Sequence, residues 1–247
     1  MTPQGADLPW LTAAQMAEVD RAMVDDYGIL LPQMMELAGR HLADLARERF
    51  RAECERNDGA VVLAGKGGNG GGALVAARRL AGWGINVSVV LAADPDLFGD
   101  VPGHQLEIVR RMGIEMREDH DLLHHSPGLI VDGLLGYGVR GDPRERAAML
   151  IRWANTMDVP TLSLDLPSGL DATTGAAGEP TIEATATMTL ALPKEGLRAR
   201  GANQFVGELY LADIGVPRQL YSRPPLNLEA PDVFAISDRV QLDTGSL

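Results

Sequence analysis

The chain has 247 residues, 45% of them hydrophobic, and a formal net charge of −12. That is ample core material for one large α/β domain, and the wrong sign for a broad hold on DNA, RNA or anionic lipid, which rests on clustered Lys and Arg. No run approaches the roughly 20 consecutive apolar residues of a membrane helix, the N-terminus MTPQGADLPW lacks the basic flank and apolar run of a signal peptide, and the single Cys54 can form neither an internal disulfide nor a cysteine-based metal site. A cytoplasmic protein is expected. A small phosphorylated ligand stays open to it, because N–H groups at a helix N-terminus bind phosphate without a cationic side chain.

In chain order, Thr12 and Gln15 form a capping-box pattern, and Met16, Val19 and Met23 recur at helical spacing until Gly28, predicting a first helix. Pro32 opens a second, with Leu31, Met34, Met35, Ala38, Leu42 and Leu45 on its apolar side, while Arg47 to Arg56 is nearly all charge and reads as a solvated end carrying an incidental Cys54. An apolar run at 60–64, a glycine-rich loop, a helix over 73–81 and a strand over 86–91 make a βαβ unit. Strands are predicted at 129–131, 161–164, 187–192 and, as the last, 208–212, alternating with helices near 105–111 and 146–155. The pattern predicts a three-layer αβα fold with a mostly parallel sheet. It reads as a single domain over 1–247, with a core of about 11–217 and a packed-down or irregular extension over 218–247 that carries three further prolines.

The candidate chemistry sits in loops. Gly65-Lys66-Gly67-Gly68-Asn69-Gly70-Gly71-Gly72 holds six glycines in eight residues between a strand and a helix, where parallel-sheet proteins meet phosphates with bare backbone. A dehydrogenase reading of Gly65-x-Gly67-x-x-Gly70 is weakened because the ribose acid due at the end of the second strand is missing and Asp94 comes late. Asp132 ends a strand before Gly133, Gly136, Gly138 and Gly141. Asp165 ends the next, before the bend Pro167-Ser168-Gly169, where Asp171 reads as a cap. Asn69, Asp132 and Ser168 present hard oxygens with one formal negative charge, which suits a weakly charged oxygen-coordinated cation, or plain hydrogen bonding, better than zinc. His120, His124 and His125 read as solvated loop histidines.

These motifs together resemble the NAD(P)H-hydrate epimerase family, the YjeF N-terminal domain, from about Leu11 to Pro217. The likeness is carried by Met35-Glu36-Leu37-Ala38-Gly39, the glycine-rich loop, Val131-Asp132 with its glycines, Asp165 to Asp171, Leu192-Pro193-Lys194 before Gly196-Leu197, and Ala212-Asp213-Ile214-Gly215. The resemblance implies a Rossmann-like fold, a homodimer, and interconversion of the R and S forms of hydrated NADH and NADPH. It also implies a potassium ion on Asn69, Asp132 and Ser168. Substrate contacts follow from Gly68, Asn69, Gly70, Gly71 and Gly72, and from Gly136, Tyr137, Gly138, Val139, Arg140, Gly141 and Asp142. Asp165 becomes the acid–base group at the reacting ring, with Lys194 as a second catalytic candidate. A separate NAD(P)H-hydrate dehydratase is the expected pathway partner. The family pattern Gly-x-Gly-Asn-Asn-Gly-Gly-Asp-Gly is broken here by Gly68, Gly72 and Ala73, which keeps open the alternative of a diverged, non-catalytic or differently specific nucleotide-binding member.

Overall fold

In the computed structural model residues 8–243 are described. Residues 1–7 of the N-terminal stretch read above for a signal sequence, the end of the extension at 244–247, and the side chain of His124 lie outside what is described. Helix α1 spans Ala13–Asp25 and opens as the sequence predicts: Thr12 Oγ1 accepts from Gln15 N at 3.2 Å, and Gln15 Oε1 accepts from Thr12 N at 2.9 Å. Helix α2 spans Leu31–Arg49 with proline in its first turn, and Met34, Met35, Ala38, Leu42 and Leu45 are buried. Leu31 stays 40% exposed at the helix mouth. The charged end is not wholly solvated as expected. Phe50 and Cys54, on either side of the short helix α3 (Arg51–Cys54), are buried, and burial pushes the Cys54 thiol up to about 12. Arg47 and Arg51 pair with Asp44 and Glu55 on the outer surface, so a segment rich in charge still turns its few apolar side chains inward.

The sheet is assembled from β1 (Ala60–Ala64), β2 (Val87–Leu91), β3 (Glu115–Met116), β4 (Leu129–Gly133), β5 (Thr161–Leu164), β6 (Ala186–Leu190), β7 (Glu208–Ala212) and β8 (Arg239–Leu242). The eight strands lie in the order β3-β2-β1-β4-β5-β6-β7-β8, parallel except for the antiparallel pairing of β7 with β8. Strands β3 and β8 were not read from sequence, so 208–212 is not the last strand. Two residues give β3 no period to read, and β8 is a mixed segment whose Leu209 to Leu242 pairing exists only once the tail folds back. Helices α4 (Gly68–Gly82), α5 (Asp100–Arg111), α6 (Glu145–Thr156), α7 (Asn203–Val206) and α8 (Arg218–Tyr221) complete the chain. Strand alternation divides the core. Ala60, Val62 and Ala64 face α2, α4 and α5, whereas Val61 and Leu63 face Leu150, Ile151 and Ala154 of α6, so helices cover both faces. Tail residues Leu220, Tyr221 and Leu226 pack with α1 and Ile214. No helix among the described residues is long and apolar enough to cross a membrane.

Helix α4 begins inside the glycine-rich segment, not at Ala73. None of those glycines has positive φ, and Gly65, Gly70, Gly71 and Gly72 serve close approach. A Cβ on Gly70 would fall on the Gly65 carbonyl, and one on Gly65 would fall on the Leu134 carbonyl, so the first turn of α4 is threaded against the ends of β1 and β4. The same economy governs the crossing of α2 over α4, where a Cβ on Gly39 would meet Val75 and the Gly72 carbonyl oxygen. Gly39→Ala should therefore destabilise the fold by about 1–3 kcal/mol through overpacking, read as a lower urea midpoint with an unchanged slope. A neutral result would mean that the two helices part without strain.

Candidate active site

Strands β1 and β4 pair side by side at the point where the strand order reverses, and a cavity of about 820 Å³ opens beyond their carboxyl ends. Gly65 to Asn69 and Gly72 line one side, Leu134 to Val139 another, and Met16, Asp20, Met34 and Met35 of the first two helices a third. Leu164 and Asp165 reach it from β5, and Ala92, Ala93, Asp94 and Leu97 from beyond β2. The size suits a nucleotide, and Gly68 and Asn69 at the start of α4 lie on its wall, where a helix N-terminus offers the free N–H groups that an anion site requires.

Just beneath lies Asp132, wholly buried. Its Oδ1 accepts from Ser168 Oγ at 2.6 Å and Leu134 N at 3.1 Å, and its Oδ2 accepts from Ser163 Oγ and Ser168 N, both at 2.9 Å. Burial raises its pKa and these bonds oppose the rise. Ser168 Oγ also accepts from Leu135 N at 2.9 Å, and Asn69 Nδ2 donates to Leu135 O at 2.9 Å. The side chains of Asn69, Asp132 and Ser168 thus meet on one turn, Asn69 through its amide nitrogen.

Asp165 is 4% exposed on the cavity wall, with φ +66°, a left-handed conformation that non-glycine residues adopt at a cost and that often marks a functional position. Lys194, fully buried behind it, donates to Asp165 Oδ1, to Leu190 O at 2.8 Å and to Thr189 Oγ1 at 3.4 Å. Lys194 does not itself line the cavity. Sequence reading missed Asp20: Tyr137 Oη donates to it, and burial raises its pKa. Its position in the α1 period, one turn after Met16, was the available signal.

Of the residues that the resemblance names for substrate contacts, Gly68, Asn69, Gly72, Gly136, Tyr137, Gly138, Val139 and Asp165 line the cavity. Gly70 and Gly71 lie behind its wall as packing positions. The chain turns away after Val139, so Gly141 and Asp142 face a separate recess of about 160 Å³, Asp142 accepting from Glu179 N at 3.0 Å, and Arg140 lines neither space. Asp171 does cap its bend, accepting from Thr173 N at 3.0 Å and Thr174 N at 2.7 Å. Of the histidines, His120 is exposed as read. The His125 side chain is instead buried, its Nδ1 3.0 Å from Asp58 Oδ2, because the loop carrying it tucks under the amino ends of β1 and β4. Among the described residues no group of three or more His, Cys, Asp or Glu side chains is placed to hold a metal ion. The departures from the family pattern have a local account. A Cβ on Gly72 would stand 2.8 Å from Leu164 Cδ2, so Leu164 occupies the space an acid would need, while nothing lies within 4 Å of a Cβ on Gly68.

Fold and cavity define a Rossmann-like α/β protein with a nucleotide-sized cleft at its switch point. The family model described as YjeF-related protein N-terminus matches residues 31–196, and the chain belongs to that family. It is 38% identical over 231 residues to an NAD(P)H-hydrate epimerase of Dehalogenimonas lykanthroporepellens, covering 93% of this chain and 92% of the relative. It is 34% identical over 221 residues to one of Rhodopirellula baltica, covering 86% of this chain and 87% of the relative. A bifunctional NAD(P)H-hydrate repair enzyme of Salinibacter ruber is 38% identical over 224 residues, 85% of this chain but 41% of that longer protein. The crystal structure of the yeast protein ynu0 superposes with a TM-score of 0.80, covering 95% of this chain and 100% of that one at 24% identity, which bears on the fold.

Ser168→Ala removes two hydrogen bonds from structure around a buried carboxylate. We expect a loss of about 1–3 kcal/mol, measured by urea unfolding, and a variant as stable as wild type would show that Asp132 does not depend on that hydroxyl.

Proposed function

We propose that this chain interconverts the R and S forms of hydrated NADH and NADPH, with Asp165 as an acid–base group at the hydrated ring. The observation that carries the reading is Asp165 itself: an acid held in a left-handed conformation on the cavity wall, with the ammonium of Lys194 against its rear oxygen. Epimerisation at the hydrated carbon proceeds by ring opening or by loss and return of water, and both need a proton acceptor and donor beside the ring. Lys194 positions Asp165. The backbone of Gly67 to Asn69 receives phosphate at the start of α4, which suits an anionic ligand in a protein of net charge −12.

The donor set fits a potassium ion on Asn69, Asp132 and Ser168. Among the described residues the buried Asp132 carboxylate has no ion-pair partner, its bonds come from hydroxyl and backbone groups, and the Asn69 amide turns its nitrogen to Leu135 O. Such an ion supplies positive charge next to the phosphate-binding turn. The natural setting of this reading is a cytoplasmic homodimer that shares its substrate pool with a separate NAD(P)H-hydrate dehydratase. The competing reading, a diverged binder, draws on the lost acid at Gly72 and separates from the first in one assay.

Purified S- and R-hydrates should equilibrate in the presence of the protein, followed by chromatography, and Asp165→Asn should lower kcat by about 10²–10⁴-fold. Flat time courses from folded, hydrate-binding protein would leave the binder reading standing. Potassium chloride should raise the melting midpoint above that in choline chloride at equal ionic strength, by about 1.4 kcal/mol of stabilisation at ten times the dissociation constant. That difference should vanish in Asn69→Ala; equal midpoints in both salts for the unaltered chain would remove the ion.

A further inference from the structure

Inversion at a hydrated carbon has a requirement that one carboxylate meets poorly. The hydroxyl leaves from one face of the ring and oxygen returns to the other, so a group that gives a proton and a group that takes one are both needed at the same carbon. Two acids of this chain reach the cavity near each other from different parts of the fold. Asp165 comes from the end of β5 and Asp20 from the inward face of α1. Their surroundings differ in kind. Asp165 has Lys194 against it, whereas the hydrogen bond to Asp20 comes from the neutral phenol of Tyr137.

We propose that Asp20, held by Tyr137, is the proton donor of the site and works opposite Asp165 as the acceptor. This rests on the epimerase reading and assigns the half of the chemistry that Asp165 leaves open. In the water-loss route the carbon–oxygen bond breaks as the Asp20 carboxyl hands its proton to the departing hydroxyl, which leaves as water. The lone pair of the ring nitrogen supplies the electron pair the carbon loses. Water then adds to the opposite face, its oxygen forming the new bond, while Asp165 takes the released proton. Return of that proton from Asp165 to Asp20 through solvent restores both groups, so no oxidant or reductant is consumed.

The electrostatics agree with the geometry. Burial raises the Asp20 pKa most, with Asp165 raising it further, while the hydrogen bond from Tyr137 and the charge of Lys194 act in the opposite direction. Tyr221, from the tail, also senses Asp20, and its own pKa is raised chiefly by burial. A donor of this kind keeps its proton at a higher pH than an exposed aspartate.

The test is epimerisation of purified S-hydrate, followed from about pH 5 to about pH 9, with the full chain and with Asp20→Asn, Asp20→Glu and Tyr137→Phe. Wild type should lose kcat on the alkaline side as the donor ionises. Asp20→Asn should lose about 10²-fold or more in kcat with KM changed less than about threefold, and its residual rate should lack the alkaline limb. Asp20→Glu should recover part of the rate. Tyr137→Phe should move the limb to higher pH, because the phenol favours the ionised carboxylate. An active wild type with an indifferent Asp20→Asn, or an alkaline limb unmoved in Tyr137→Phe, overturns the proposal alone. Wild type that binds hydrate without turnover overturns the epimerase reading and this assignment with it.

Discussion

Asp132 is a carboxyl group with no exposed surface, and the architecture around the cavity is organised by the hydrogen-bond donors it demands. An unsatisfied carboxylate in a protein interior costs several kcal/mol, so the surrounding chain has to bring donors to both oxygens. It does so from Ser163 on β5, from the amide and hydroxyl of Ser168 in the following bend, and from Leu134 beyond β4. These bonds fasten the loop that carries Tyr137 to the loop that carries Asp165, and Asn69 joins them through Leu135. Three of the segments that line the cavity are thus tied to one buried group.

Glycine solves the complementary problem of approach. Gly65 and Gly70 let the first turn of α4 lie against backbone of β1 and the loop after β4, and Gly39 lets α2 close over α4. The result is a helix N-terminus, at Gly68 and Asn69, on the wall of the cavity. The substitution of glycine at 72 is absorbed by Leu164, which fills the cavity wall beside Asp165 and makes that part of the site apolar where the family pattern has an acid. The change is local: Asp165, Lys194 and the Asp132 cluster are built from other elements.

Asp165 and Asp20, two of the acids that line the cavity, are held by different parts of the fold. Asp165 belongs to the sheet, its backbone strained and its side chain backed by a buried lysine that also binds Leu190 O and Thr189 Oγ1. Asp20 belongs to α1, a helix that packs with Ala191, Leu192, Ile214 and the folded-back tail. The C-terminal segment therefore supports one wall of the cavity, although none of its described residues lines it.

Much of this was legible in the linear chain because it depends on local periodicity and short spacing. The capping box at Thr12, the apolar runs of β1 and β5, and the acids at 132 and 165 followed by Gly- and Pro-shaped bends are written within a few residues of each other, and the strand-end rule for parallel sheets puts them in one crevice. What tertiary structure alone decided are the long-range meetings. Lys194 comes behind Asp165 from beyond the next strand, Tyr137 reaches Asp20 across 117 positions, β8 exists only against β7, and Cys54, Phe50 and His125 are buried by elements distant in sequence. The physical reason is the same in each case. A helix or strand announces itself through a period shorter than a dozen residues, whereas burial and pairing depend on which surfaces the completed sheet leaves for a side chain to meet, and no spacing within the chain records that.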